Sequence, residues 1–255
     1  MRGEKHINIY KVQNGEGVLT ADMVAVEEPL ALHVNGRKVV TLLYTPPMAI
    51  ELALGYLLSE GIINSIDDVL SLSLRKGRVV IDIKGDVPED YAGGTVTSGC
   101  GGGLVAAYPE ALKKTKKVKS RLSISRSKVF ELADSFRKMS ELFEETGGVH
   151  SAALSDGTGI ILFADDVGRH NAADKVFGSC LMNGVEAAEK LLLTTGRVSS
   201  EIVLKCARSG VPIIISRSAP TSLAVELAGK FGITLAGFVR GKRMNVYTKP
   251  ERIIP

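Results

Sequence analysis

Apolar and polar positions follow two different rhythms along this chain, and the rhythm changes near residue 118. Residues 1–20 are mostly polar, which predicts an irregular or edge segment. From Pro29 the pattern is regular. Leu30, Leu32 and Val34 alternate, Asn35-Gly36 gives the signal for a type I′ hairpin, and residues 39–44 return as a strand. Pro46-Pro47 ends that strand. Residues 48–59 predict an amphipathic helix, with Ile50, Leu54, Leu57 and Leu58 on one side and Gly61 as its C-cap. Residues 69–74 and 79–83 form a second hairpin around Lys76-Gly77. The expectation is a small ββαββ domain over 1–118 that ends in a glycine-rich loop and a lysine-rich linker.

Beyond residue 118 strands and helices alternate. Residues 125–145 predict one helix, with Val129, Leu132, Phe136, Met139, Leu142 and Phe143 at helical spacing, stopped by Thr146-Gly147-Gly148. Residues 149–154 and 160–163 read as strands around Asp156-Gly157. Then come a helix at 171–182, a buried strand at 191–193 and a helix at 199–209 ended by Gly210. A strand at 211–216 and a helix at 220–231 follow, the latter with Ser218 as N-cap and Pro220 in its first turn. Strands at 235–239 and 244–247 flank Gly241. This alternation predicts a sheet with helices on both faces. The order α-β-β-α-β-α-β-α-β matches a cytidine deaminase-like three-layer αβα sandwich over 119–255, so the fold class is α/β (α+β).

Composition narrows the function. Aromatic residues make up 5% and Trp is absent, so stacking platforms for single-stranded nucleic acid are scarce. The net charge is +4, and the lysine run at 113–121 accounts for it, which argues for one local basic patch and against a nucleic-acid-binding face. No apolar run approaches the ~18 residues of a membrane span, and the first residues lead into no apolar signal region. The three cysteines, Cys100, Cys180 and Cys206, have neither metal nor disulfide spacing. The expectation is a cytoplasmic, reducing setting with free thiols.

Cys100 stands out chemically. It lies in Thr97-Ser98-Gly99-Cys100-Gly101-Gly102-Gly103, where no bulky neighbour covers the thiol and the glycines predict a flexible loop. A reactive cysteine is exposed and near positive charge. Both a reactive thiol and a linker that happens to carry a cysteine fit these residues. Cys180 and Cys206 fall within predicted helices beside apolar residues and read as core thiols.

A deaminase needs zinc ligands at two helix starts, as His-x-Glu and Pro-Cys-x-x-Cys. Neither motif occurs, so no zinc or other metal site is expected. The corresponding turns read Asp165-Asp166-Val167-Gly168-Arg169-His170 and Thr194-Thr195-Gly196-Arg197. Free backbone N–H groups at a helix start attract anions, and an arginine adds bidentate contacts. Arg169, His170, Gly196 and Arg197 are therefore candidates for an anionic or nucleotide ligand, against the plainer reading of a cap at Asp166 with solvated arginines. His150, alone near a strand start, reads as a structural hydrogen-bonder more readily than as a catalyst. Phe238-Val239-Arg240-Gly241-Lys242-Arg243 is either a solvated hairpin tip or a phosphate-gripping loop.

These stretches together carry a resemblance. ELALGYLLSEGII (51–63), TSGCGGG (97–103), TGGVHSAAL (146–154), DDVGRHNAADKV (165–176), TTGRVSSEIV (194–203), SRSAPTSLAVELA (216–228) and GFVRGKRMNVYT (237–248) occur in this order, and the chain resembles the FdhD/NarQ family of formate dehydrogenase accessory sulfurtransferases. The resemblance implies a homodimer that takes sulfur from a cysteine desulfurase as a persulfide. It implies transfer to the molybdenum bis(molybdopterin guanine dinucleotide) cofactor, a bound substrate for which GDP-like nucleotides are mimics, and service to the formate dehydrogenase catalytic subunit. The family's persulfide cysteine falls on Cys100, and its cofactor-contacting loop on Phe238, Val239, Arg240, Gly241, Lys242 and Arg243. Many members carry Cys-x-x-Cys where this chain has Gly103, so a two-thiol relay inside the loop is not expected. The alternative function is a non-catalytic cofactor- or nucleotide-binding chaperone in formate dehydrogenase maturation.

Overall fold

Three two-residue turns at positive φ fold the first strands into hairpins: Asn14-Gly15, Asn35-Gly36 and Lys76-Gly77. The computed structural model describes residues 3–87, 94–96, 112 and 115–255. The first hairpin joins β1 (Glu4–Gln13) and β2 (Glu16–Ala25). Of the irregular or edge segment expected for 1–20, the edge reading holds, since both strands of this two-stranded sheet are edges, but they are regular and paired along their length. The Asn14-Gly15 signal is present in the sequence, but the strands lack a clean apolar alternation because neither face is covered by the chain's own core. The other two turns join β3 (Glu28–Val34) to β4 (Arg37–Tyr44) and β5 (Val69–Arg75) to β6 (Arg78–Ile83), as expected.

With β7 (Gly94–Val96) these form a five-stranded sheet of order β5-β6-β3-β4-β7, in which β3 runs parallel to β6. The helix α1 (Ala49–Glu60) packs on it, ended by Gly61 at φ 74°. Leu52, Ala53, Leu54 and Leu57 meet Leu30, Leu32, Leu42, Val79 and Ile81 in one core. The single apolar face expected for α1 is too narrow. Nine of its residues are buried, because a second helix lies on its other side.

The second half forms a six-stranded sheet of order β10-β9-β11-β12-β13-β14. Its strands are β9 (His150–Ser155), β10 (Ile160–Asp166), β11 (Leu191–Thr194), β12 (Ile213–Ser216), β13 (Thr234–Arg240) and β14 (Arg243–Thr248). The strands β11, β12 and β13 are mutually parallel, and β9 is antiparallel to β11. Alternate residues serve opposite faces, as the pleat requires. Leu154, Leu192, Ile214 and Leu235 face one core. Ala153, Leu193, Ile215 and Ala236 face another. The first core is covered by α4 (Arg169–Asn183), α5 (Ser200–Arg208) and α6 (Ser222–Phe231), and the second by α2 (Arg126–Arg137). A short parallel pair, β8 (Ile124–Ser125) and β15 (Ile253–Ile254), closes the α2 side.

Three helix boundaries differ from expectation. The helix expected over 125–145 is two, α2 and α3 (Glu141–Thr146). Ser140 breaks it: its Oγ accepts from Phe143 N at 3.0 Å as an N-cap and donates to Asp165 Oδ2 at 2.8 Å. The helix expected from Pro220 starts at Ser222, because Thr221 accepts from Ala224 N at 3.3 Å and is the cap in place of Ser218. The helix expected from residue 171 starts at Arg169, which draws Arg169 and His170 into its first turn.

The two sheets are joined through α1 and α4, which cross where both carry glycine. A Cβ at Gly55 would collide with the Asp174 carbonyl, and one at Gly178 with the Glu51 carbonyl. Around this crossing lie buried charges. Lys175 Nζ donates to Thr45 O at 2.6 Å and to Asp165 O at 2.8 Å, pairs with Asp166 Oδ2 at 2.7 Å, and lies 5.6 Å from the Tyr44 ring centroid. Asp166 also accepts from Thr45 N at 3.0 Å, Gly168 N at 2.9 Å and Asn171 Nδ2 at 2.9 Å. Lys205 pairs with Asp174 at 2.7 Å, and Asp174 takes Ser59 Oγ–H at 2.6 Å. Buried charges persist only when paired and hydrogen-bonded, and these are. Among the described residues no helix is long and apolar enough to cross a membrane.

Candidate functional site

Parallel strands that end at one edge leave their following turns side by side, and ligands of α/β sheets bind at that edge. Here β11, β12 and β13 end at Thr194, Ser216 and Arg240, and antiparallel β9 begins beside them at His150. The turns are latched stepwise. Ser151 N donates to Thr195 Oγ1 at 3.0 Å, and Arg217 N to Thr194 O at 3.2 Å. Ser216 Oγ donates to Gly196 O at 2.8 Å, Phe238 N to Ser218 O at 3.1 Å, and Arg240 Nε to Arg217 O at 3.2 Å.

With α2 and α3 above them, these turns enclose a cleft of about 540 Å³ lined by His150, Ser151, Thr195, Arg217, Ser218 and Arg240 on the sheet side. Phe136, Arg137, Phe143 and Glu144 line the helix side. Its volume lies in the range of small-molecule sites.

The cleft is cationic. Arg137, Arg217 and Arg240 face Glu144 as the one acid among its lining residues. Burial and then the Arg240 and Arg137 charges hold the Arg217 guanidinium below its ordinary range. An anion placed there relieves this repulsion, and paired arginines offer the bidentate geometry that phosphates take. His150 is half-buried. Burial first, then Arg169 and Arg197, lower its pKa, so its imidazole is neutral at pH 7. Its Nδ1 lies 3.4 Å from Thr195 Oγ1.

The loop of residues 238–243 divides by strand period. Phe238 and Arg240 point outward, whereas Val239 is 1% exposed and packs in the α2 core. Phe238 holds φ 53°, an uncommon value for a bulky residue, beside a bulge in the β13–β14 ladder. Gly241 turns the chain at φ 57°, and Lys242 and Arg243 are exposed. None of Arg169, His170, Gly196 and Arg197 is among the residues that line the cleft, which the second arginine-bearing turn reaches only through Thr195. The Arg169 side chain packs against Gly196, and Arg197 is exposed. His170 is buried between α4 and α5, its Nε2 3.0 Å from both Ser199 Oγ and Glu201 Oε2. Burial, Lys205 and Arg169 push its pKa down to about 3. It is therefore a neutral side chain inside the fold.

The sequence reading missed Arg137 and Arg217. Arg217 follows β12 as Arg197 follows β11, so the strand-end argument that singled out Arg197 applies one strand further on. Arg137 carried no signal, since α2 reaches the cleft only through the break at Ser140. Cys100 and its glycine neighbours lie outside the described residues. The other two thiols are core residues, as expected: Cys180 is raised to about 12 by burial, and Cys206, fully enclosed, is raised further.

A protein of Bacillus subtilis (strain 168) named "Sulfur carrier protein FdhD" is 39% identical over 253 residues, covering 96% of each chain. One of the same name from Halalkalibacterium halodurans is 41% identical over 240 residues, covering 91% of this chain and 89% of that one. The crystal structure of a provisionally named formate dehydrogenase accessory protein from Desulfotalea psychrophila superposes with a TM-score of 0.82 at 28% identity, over 98% of this chain and 99% of the other. The model of the FdhD/NarQ family matches residues 25–254, and the chain belongs to that family.

Proposed function

We propose that this protein is a sulfur carrier that serves formate dehydrogenase maturation, with Cys100 as the carrier thiol and the arginine cleft as the seat of the acceptor. In this reading a Cys100 thiolate attacks the outer sulfur of a cysteine desulfurase persulfide. The donor's S–S bond breaks, its cysteine leaves as thiolate, and the sulfane sulfur stays on Cys100. Transfer onward would break the Cys100 S–S bond, return Cys100 as thiolate and hand the sulfane sulfur on as a sulfido ligand, the two electrons for that reduction coming from the reduced metal of the molybdenum bis(molybdopterin guanine dinucleotide) cofactor, which is substrate here and not a resident group. Its pyrophosphates are anions of the kind that Arg137, Arg217 and Arg240 attract, and Phe238 offers an aromatic surface beside them. The protein acts in the cytoplasm as a homodimer, and its client is the catalytic subunit of formate dehydrogenase. We read the six-stranded sandwich as a cytidine deaminase-like core that holds a ligand where a deaminase holds zinc.

The observation that carries this reading is the three-arginine cleft at the strand edge. The inert state of Cys180 and Cys206 supports it, because the thiolate is the nucleophile and burial keeps both protonated. The test pairs two measurements. Intact mass after incubation with a cysteine desulfurase and cysteine shows one added sulfur on the wild type and none on Cys100→Ala. GDP binding by calorimetry weakens about tenfold or more in Arg217→Ala and Arg240→Ala, the loss of one charge-assisted contact of about 1.4 kcal/mol or more. If Cys100→Ala activates the dehydrogenase fully while the arginine variants do not, the protein is a cofactor-binding chaperone instead.

A further inference from the structure

The β1–β2 hairpin is a ribbon that pairs with no other strand among the described residues. Its root is fixed. Val26 N donates to Gly3 O at 2.8 Å, Thr45 Oγ1 donates to Val26 O at 2.8 Å, and Ala25 sits over Gly148 in the wall beside the cleft. Beyond the root it projects without cover. Tyr10 is 65% exposed, Val12 64%, Val18 60% and Leu19 79%. The register places Tyr10 opposite Leu19 with Val12 next on the same face, while Ile7, Ile9 and Val18 lie on the other. An isolated two-stranded hairpin is marginal in water, and an apolar exposed ribbon is an association surface.

Resting on the homodimer proposed above, we infer that this ribbon is the element by which its two copies associate, each arm docking one apolar face on its partner. Two features select a second copy as the occupant. The arm carries Lys5 and Lys11 against Glu4, Glu16 and Asp22, so symmetric copies meet without strong like-charge repulsion. The area also suffices. Ten-residue strands run about 33 Å and a two-stranded ribbon is about 10 Å wide, so one face is about 330 Å². Two reciprocal contacts remove about 1,300 Å² from water, within the range of stable interfaces.

The test is sedimentation equilibrium of the full chain beside Tyr10→Ser/Leu19→Ser, whose changes lie outside both core and cleft. The wild type is expected to sediment at twice the chain mass and the double variant to dissociate about a hundredfold more readily with an unchanged circular dichroism spectrum. A wild-type monomer at about 50 μM, well above the Kd of a stable dimer, or a double variant that dimerises as tightly as the wild type, overturns the inference. Tyr10→Trp supplies a second reading that leaves the arm apolar, because the chain has no other tryptophan. Its emission should move to shorter wavelength as dimer forms with rising concentration, and a wavelength that stays at the solvent-exposed value throughout overturns the inference as well.

Discussion

His170 shows how a single side chain links burial to pH. Burial, Lys205 and Arg169 lower its pKa from 6.5 to about 3, so the folded protein leaves it neutral where the unfolded chain protonates it. Below pH 6.5 the unfolded state therefore binds more protons, and stability falls as pH drops, with no contribution above that value. His150 adds a change of the same sign. The carboxyls of Glu201 and Asp174 are raised by burial and act oppositely, since the folded state protonates them first. Urea denaturation between pH 6.5 and 5.5 should show the wild type losing about 1 kcal/mol more than His170→Asn. Equal losses would mean that His170 titrates alike in both states. In the sequence this histidine stood one residue from Arg169 in a recognisable helix start, and motif reasoning grouped the two. Adding two residues to the helix start separates them, Arg169 beside the Gly196 turn and His170 inside. Val239 is the same kind of case. The motif included it among contacts, while the period of two along β13 turns it into the core.

At the scale of elements, turn chemistry was the most legible part of the chain. Asn35-Gly36 and Lys76-Gly77 located their hairpins to within a residue or two, because positive φ is a local demand that only a few residue types meet, whereas Asn14-Gly15, in a mostly polar stretch, was passed over. Helix breaks and helix faces were less legible. Ser140 divides one apolar periodicity into two helices through a bond to Asp165, 25 residues away. The helix α1 is buried on a side that its own pattern leaves open, since α4 supplies the cover from more than 100 residues further on. Gly178 at this crossing reads in sequence as a mere helix weakness. A glycine inside a helix usually gains up to about 1 kcal/mol on change to Ala. Here a Cβ would collide with the Glu51 backbone, so Gly178→Ala should cost about 2 kcal/mol or more. Gly229 in α6 is a control: a Cβ there meets only Thr248 at 3.8 Å, and Gly229→Ala should be neutral or stabilising. Chemical-denaturation midpoints that move the same way for both variants would dismiss the close-crossing account.

For the whole molecule, the sequence conveyed two sheets and their helices but not how they are fastened, because the fastening consists of buried charges whose partners are far apart in the chain. Lys175 lies in α4 and bonds to Thr45 at the end of β4, while Asp166 ends β10 and receives the Thr45 N–H. Asn171 adds a bond from its Nδ2 to Leu43 O at 2.8 Å. The segment that opens α4 is thus tied to the first sheet, and its Asp166 pairs in register with His150, which lines the cleft. Burial lowers the Lys175 pKa, and the Asp166 charge beside it is the largest effect in the opposite direction. Removing one partner leaves a charge buried alone, at about 3–5 kcal/mol. Lys175→Met should therefore be strongly destabilising, and Asp166→Asn likewise, since the ammonium would remain without its carboxylate. The double variant buries no unpaired charge, so it should be more stable than the sum of the two losses implies by about 1 kcal/mol or more. Losses that simply add in a double-mutant cycle would show that the pair is not coupled. A joint fastened in this way also predicts that both sheets unfold in one cooperative transition in the wild type, and that Lys175→Met separates the circular dichroism and calorimetric transitions of the two halves.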